Sequence, residues 1–329
     1  MRITVLGAGA VGSYVGVSLA EAGHDVTLVA RGDHLRAMLG LGLRVHDSRG
    51  ERVVRMRCRG PEESLEPAEA VFLTAKAHDI AALVPQLDAA LGDAGTLVAA
   101  QNGIPWWYFQ RHGGALEGLS LDAVDPGGIL AKAIDPARIV GCVIYCPTTI
   151  LGPGIVEHIG PRRLELGHLD GQTTQALQAV GDALQRAGFE APLPAAIRHA
   201  VWIKLLGNAA MNPISALVRR TSSEIAKHPD GRRIVTAIME ECIAVARATG
   251  LELDVSIEAR LARIPGALGG HKTSMLQDLE RGRRLELEPL VGAVVELGRR
   301  LGVPVPTLGD VYALAKIIEF PHVLTPQPA

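Results

Sequence analysis

The chain has 329 residues, enough for two domains, and 48% of them are hydrophobic, enough for sizeable cores. A formal net charge of −2, with 33 Lys and Arg against 35 Asp and Glu, excludes the basic excess that nucleic-acid or anionic-membrane binding requires. The four cysteines, Cys58, Cys142, Cys146 and Cys242, match neither a disulfide framework nor zinc-ligand spacing, and read as small buried hydrophobes in a reducing compartment.

The opening MRITVLGAGAVG does not read as a signal peptide, because glycines interrupt its apolar run and Glu21, His24 and Asp25 follow. No apolar run reaches the ~18 residues of a membrane span. The expectation is a cytoplasmic protein with no membrane partner.

Ile3–Leu6 is a short apolar strand. Gly7-Ala8-Gly9-Ala10-Val11-Gly12 follows it and opens a helix that runs to about Ala22. This is G-x-G-x-x-G in the strand–turn–helix context that the motif requires. The first glycine makes the tight turn, the second lets a pyrophosphate approach the backbone, and the third lets the helix pack on the strand. The helix N-terminus then offers N–H groups and a favourable dipole to an anion.

Asp25–Ala30 is the second strand. NAD-binding folds place an acid at its end for the ribose 2′-hydroxyl. Arg31 stands there instead, with Asp33 two residues further into the loop. A guanidinium suits a 2′-phosphate. A second cation, Lys76, follows the strand Ala70–Thr74 in TAKAHD, and together they favour NADP(H).

Thr96–Ala99 is the next strand, and Gln101-Asn102-Gly103 lies just past it. A long connection, Ile104–Gly128, carries Trp106, Trp107 and Tyr108, either as a lid or as an ordinary packed loop. Ile139–Tyr145, Gly154–His158 and Arg163–Leu166 read as strands and Gln172–Ala187 as a helix. Strands separated by helical patterns imply a parallel sheet with right-handed crossovers.

A proline-marked break at Glu190–Pro194 separates this half from a run of helices at about 195–217, 224–249, 256–263, 274–301 and 307–318. The fold class is α/β: a Rossmann-type dinucleotide-binding domain over residues 1–192 and an all-helical domain over 193–329.

The helical segment WIKLLGNAAMNP is apolar almost all round, yet Lys204, Asn208 and Asn212 stand four residues apart and share one face. Burying an ammonium and two amides is costly unless they find partners. The row is therefore expected to face a polar cleft between the two domains. Pro213 disfavours helical geometry at Asn212 and predicts a bend there. When hydride adds to a carbonyl carbon, charge grows on oxygen, and Lys204 is suited to stabilise it and donate a proton. Against this stands the reading of Lys204 as a side chain with its head in bulk water. The histidines His78, His112, His158, His199 and His271 pair with no carboxylate at motif spacing. No Ser/His/Asp set or metal cluster is expected.

Taken together, GAGAVG, Arg31, Lys76 in TAKAHD, QNG, WIKLLGNAAMNP, Ser274-Met-Leu-Gln-Asp278 and the downstream Glu286 resemble the ketopantoate reductase (2-dehydropantoate 2-reductase) family from end to end. The resemblance implies NADPH-dependent reduction of 2-dehydropantoate to pantoate, on the way to pantothenate and coenzyme A. It implies Lys204 as general acid and Asn208, Asn212 and Ser274 as ligands of the substrate carboxylate and hydroxyls. Asn102 would lie near the nicotinamide and help place the carbonyl, and Glu286 would contact the cofactor side and hold Lys204 in position. Gly7 to Gly12, Arg31 and Lys76 would bind the pyrophosphate and 2′-phosphate. The alternatives are a reductase of another 2-oxo acid, an opine-type dehydrogenase and a non-catalytic NADP-binding sensor. The last would need the glycine turn but not the Lys204 row. A homodimer through the long helices stays open.

Overall fold

The computed structural model describes residues 1–267 and 272–324, apart from the side chains of residues 263, 265–267 and 320–324, so His271 lies outside the described residues. The chain divides into two compact units. One comprises Met1–Gln101, Trp107–Gly118 and Ile129–Ala200, and the other Asn102–Trp106, Leu119–Gly128 and Val201–Ala329.

The first unit runs β1 (Arg2–Leu6), α1 (Ala10–Glu21), β2 (Asp25–Val29), α2 (Gly32–Leu41), β3 (Leu43–Asp47), β4 (Gly50–Val54), β5 (Arg57–Arg59), β6 (Ala70–Leu73), α3 (Val84–Leu91) and β7 (Thr96–Ala99). It continues with α4 (Ile129–Ala133), β8 (Ile139–Tyr145), β9 (Thr148–Gly152), β10 (Ile155–His158), β11 (Arg163–His168) and α5 (Gln175–Arg186). A seven-stranded sheet has the order β11-β8-β7-β6-β1-β2-β5. All its neighbours are parallel except β8 and β11. The strands β6 and β7 are buried at every position, and β1 and β2 at all but their first. This is why they read as continuous apolar runs rather than alternating ones. Strand order reverses at β1, whose C-terminal end leads into the glycine turn, the place where open α/β sheets bind ligands.

A second sheet, β4-β3-β10-β9, lies outside the sequence expectation, in which only β10 among its strands is present. β3 and β4 are short and carry His46, Asp47, Glu51 and Arg52, so their hydrophobic signal is weak. α1 is fastened to this sheet by polar groups. The Tyr14 hydroxyl donates to Asp47 Oδ2 (3.0 Å), Arg52 Nη1 donates to Asp47 Oδ1 (2.9 Å), and Arg52 Nε donates to Glu21 (2.5 Å).

The aromatic run resolves as a packed loop. Trp107, Tyr108 and Phe109 are each 1% exposed and Trp106 5%. Arg198 holds this loop by donating to the Tyr108 and Gln110 carbonyls at 2.7 and 2.6 Å. Gly141 makes room for Trp107, since a Cβ there would lie 2.6 Å from the indole ring.

The helical unit contains most of α6 (Ile197–Val218), then α7 (Ser222–Lys227), α8 (Pro229–Ala248), α9 (Ile257–Ala267), α10 (Ser274–Glu280), α11 (Ala293–Leu301) and α12 (Pro306–Leu324). α6 continues as helix across Pro213. Two expected helices are each divided. The 224–249 segment breaks at His228, whose backbone is extended because Pro229 comes next. The 274–301 segment breaks after Glu280, where Gly282 adopts φ +65°, and resumes with a π-helical turn, Glu288–Gly292, ahead of α11. Among the described residues no helix is long and apolar enough to cross a membrane. The four cysteines are buried and none is in a disulfide.

Candidate active site

The glycine turn has the geometry that its sequence demands. Gly7 sits at φ +94°, and a Cβ there would lie 2.5 Å from the Ala75 nitrogen. A Cβ on Gly12 would overlap the Thr74 hydroxyl and lie 2.5 Å from the Gly7 carbonyl oxygen. Thr74 Oγ1 donates to that carbonyl at 2.9 Å. Gly9 is the N-cap of α1, supplies no capping side chain, and leads into a first turn without acidic residues. The N–H groups and the positive end of the helix dipole therefore face outward for an anion.

A relay with no signature in the sequence braces the turn. Ser13 Oγ donates to the Ala8 carbonyl (2.9 Å) and lies 3.2 Å from His34 Nε2, while the Gly154 N–H donates to His34 Nδ1 (3.0 Å). Because Nδ1 accepts, Nε2 carries the proton and donates to Ser13.

Arg31 occupies the N-cap position of α2 at the end of β2 without a side-chain capping bond, and its Nη2 lies 2.9 Å from Asp79 Oδ2. Lys76, half-buried, precedes the 3₁₀ turn Ala77–Asp79 after β6. Asp33, the acid nearest to Arg31 in sequence, pairs with Arg36 instead.

In the helical unit, α6 buries Trp202, Leu205, Leu206, Ala209, Ala210 and Met211. Lys204 and Asn208 are half-buried, and Asn212 is buried. The Lys204 ammonium donates to Asn102 Oδ1 at 2.6 Å. An ammonium has no acceptor, so Asn102 must present its oxygen and turn its NH₂ away. The neighbouring Gly103 holds Asn102 in place. It has φ +82°, a Cβ there would overlap the Pro289 carbonyl oxygen, and that oxygen accepts from the Ile104 N–H at 2.8 Å. Pro289 lies in the π-helical turn, a device common at functional sites.

Ser274 is the first residue of α10, after Thr273 whose hydroxyl caps the Leu276 N–H, and Ser274 is exposed. Glu286, half-buried, lies in the non-helical segment just before the π-helical turn rather than on a helix face. Among the described residues no group of three or more His, Cys, Asp or Glu is placed to hold a metal.

Two family models match the chain: "Ketopantoate reductase PanE/ApbA" over residues 3–107 and "Ketopantoate reductase PanE/ApbA C terminal" over 196–319. The 2-dehydropantoate 2-reductase of Mesorhizobium japonicum is 40% identical over 317 residues, covering 96% of this chain and 97% of that protein. The chain belongs to the ketopantoate reductase family. A second family member, the 2-dehydropantoate 2-reductase of Archaeoglobus fulgidus, is 32% identical and covers 92% of each chain. The crystal structure of a family ketopantoate reductase from Ralstonia eutropha JMP134 superposes with a TM-score of 0.84 at 28% identity, over 98% of this chain and all of that one.

Of the residues by which the sequence resembles the ketopantoate reductase family, the structure brings Lys204 and Asn102 into direct contact. It places Asn208, Asn212, Ser274 and Glu286 in the same helical unit. Four further residues support the motifs. Ser13, His34 and Thr74 brace the glycine turn. Arg260 of α9 donates to the Ile203 carbonyl at 2.6 Å, one residue before Lys204. Thr74 opens the TAKAHD run, while Ser13, His34 and Arg260 belong to no motif with a spacing rule.

Proposed function

We propose that this protein reduces the ketone of 2-dehydropantoate to pantoate with NADPH. The observation that carries the reading is the Lys204–Asn102 hydrogen bond, which fixes an ammonium on the polar row of α6. The glycine turn fits a dinucleotide, since its three glycines leave the backbone bare and α1 presents uncapped N–H groups beside it. NADPH, when bound, supplies the hydride that adds to the carbonyl carbon. Arg31 and Lys76 take the 2′-phosphate and set the preference for NADPH.

Lys204 does the remaining chemistry. As the carbonyl oxygen gains charge, the Nζ ammonium stabilises it and transfers one proton, which leaves a secondary alcohol and a neutral amine that water reprotonates. Asn102 aims the ammonium by accepting one of its three N–H bonds, and Glu286 adds to that positioning. Asn208, Asn212 and Ser274 hold the substrate carboxylate and hydroxyl.

The test is the initial rate of NADPH oxidation with 2-dehydropantoate, beside NADH and beside a 2-oxo acid lacking the hydroxymethyl group. The proposal predicts turnover that favours NADPH and 2-dehydropantoate. Tight NADPH binding without turnover of 2-dehydropantoate would overturn the substrate assignment.

A further inference from the structure

Arg31 meets a carboxylate of its own chain. Its Nη2 lies 2.9 Å from Asp79 Oδ2, with the Arg31 side chain 76% exposed and that of Asp79 33% exposed. The two residues come from separate turns. Arg31 stands after β2, while Asp79 ends the 3₁₀ turn after β6 and donates its N–H to the Lys76 carbonyl at 2.9 Å. In the sheet, β1 lies between β2 and β6, so these turns flank the glycine turn. An ion pair this exposed contributes little to folding. Its position gives it another consequence.

Dinucleotide folds that take NAD offer a carboxylate to the ribose 2′-hydroxyl from the end of β2. Here that position is Arg31, and a carboxylate arrives at the same corner from the neighbouring turn. We propose that Asp79 limits this protein's preference for NADPH over NADH. It competes with a 2′-phosphate for the Arg31 guanidinium and repels that phosphate. It also serves as an acceptor for the 2′-hydroxyl of NADH. The inference rests on the assignment of Arg31 to the 2′-phosphate.

The size of the effect comes from Coulomb's law. A unit charge about 4 Å from another, in water, changes affinity by roughly fivefold, and a phosphate carries more than one charge. Salt screening reduces this for exposed groups.

The experiment is the dissociation constant for NADPH and for NADH, read by nucleotide fluorescence at fixed low salt, for the unmodified protein, Asp79→Asn and Arg31→Ala. The Asn variant keeps the shape of the side chain and removes only its charge. The expected result is that the ratio of the NADH to the NADPH dissociation constant rises roughly fivefold or more in Asp79→Asn. An unchanged ratio overturns the inference. So does a fallen ratio, which would mean that Asp79 orients Arg31 for the phosphate instead. Arg31→Ala distinguishes failure of the inference from failure of the assignment beneath it. If it leaves NADPH affinity unchanged, the assignment of Arg31 fails and the inference with it. If it weakens NADPH while Asp79→Asn leaves the ratio unchanged, only the inference fails.

Discussion

At Gly103 the replacement of one hydrogen by a methyl group would reach the proposed proton donor. Its φ of +82° is strained for any L side chain, and a Cβ would overlap the Pro289 carbonyl oxygen. Gly103→Ala should therefore shift Asn102 and release Lys204. We expect a loss of at least about 2 kcal/mol in unfolding free energy by denaturant titration, together with loss of reductase activity. Activity and stability close to the unmodified protein would contradict this role for the QNG motif. The residues of the proposed site were largely legible in the sequence, because Lys204, Asn208 and Asn212 recur at helical spacing and QNG stands just past a strand. The reason for the glycine was not legible. It depends on Pro289, which is remote in sequence and lies in a π-helical turn that no periodicity announces. The same holds for His34, whose part in bracing the glycine turn comes from contacts with Ser13 and Gly154.

At the scale of elements, α1 has two attachments of different chemistry. Its apolar side packs on the parallel sheet, and Tyr14 and Glu21 fasten it to β3 and β4 through Asp47 and Arg52. The Asp47 side chain is 1% exposed and accepts from Tyr14, Arg49 and Arg52. Asp47→Asn removes the charge from this set and takes from Arg49 and Arg52 a carboxylate that both bind, at a cost of about 2–4 kcal/mol. Chemical denaturation measures this, and a change below about 0.5 kcal/mol would show that the network does not hold the second sheet. In the large sheet β1, β2, β6, β7 and β8 are readable as continuous apolar runs, which burial on both faces demands, β11 (RLELGH) is readable by alternation, and β5 (RCR) is not readable. β3 and β4 are not, because half-exposed strands that carry charges resemble polar loops, and neither is β9 (TTILG), a five-residue strand with no buried position. The two helix breaks have a local cause. His228 is extended because it precedes Pro229, and Gly282 takes a left-handed conformation, each within a short polar stretch between apolar helical runs.

At the scale of the whole molecule, the charged fastening makes stability depend on pH. Burial alone would raise the carboxyl of Asp47, but hydrogen bonds from Arg52, Arg49 and Tyr14 outweigh it and hold the group well below its ordinary 3.8. Glu21 is likewise lowered from 4.5, with burial opposed by Arg52 and Arg49. A carboxyl lowered in the folded state binds fewer protons there than in the unfolded state. Its contribution is present above the unfolded value and is lost as pH falls through that value towards the folded one. Thermal unfolding temperature should therefore drop as pH is lowered below about 4.5, and Asp47→Asn should flatten that drop. The same slope in both proteins would show that Asp47 does not set it.

The two compact units exchange segments of chain. Asn102–Trp106 and Leu119–Gly128 belong with the helices beyond residue 200. Glu296 of α11 accepts from the Asp122 and Ala123 N–H groups at 3.1 and 2.9 Å. A fragment of residues 1–192 would leave these segments without their partners and should be cleaved by protease first within residues 102–106 or 119–128. Resistance of both stretches in the isolated fragment would contradict the division.

The central claim is that Lys204 protonates the reduced ketone. The most direct measurement is steady-state kinetics of Lys204→Ala with NADPH and 2-dehydropantoate, made alongside its NADPH dissociation constant. The expected result is a kcat lower by about 10²-fold or more with NADPH affinity retained. A kcat equal to that of the unmodified protein would contradict it.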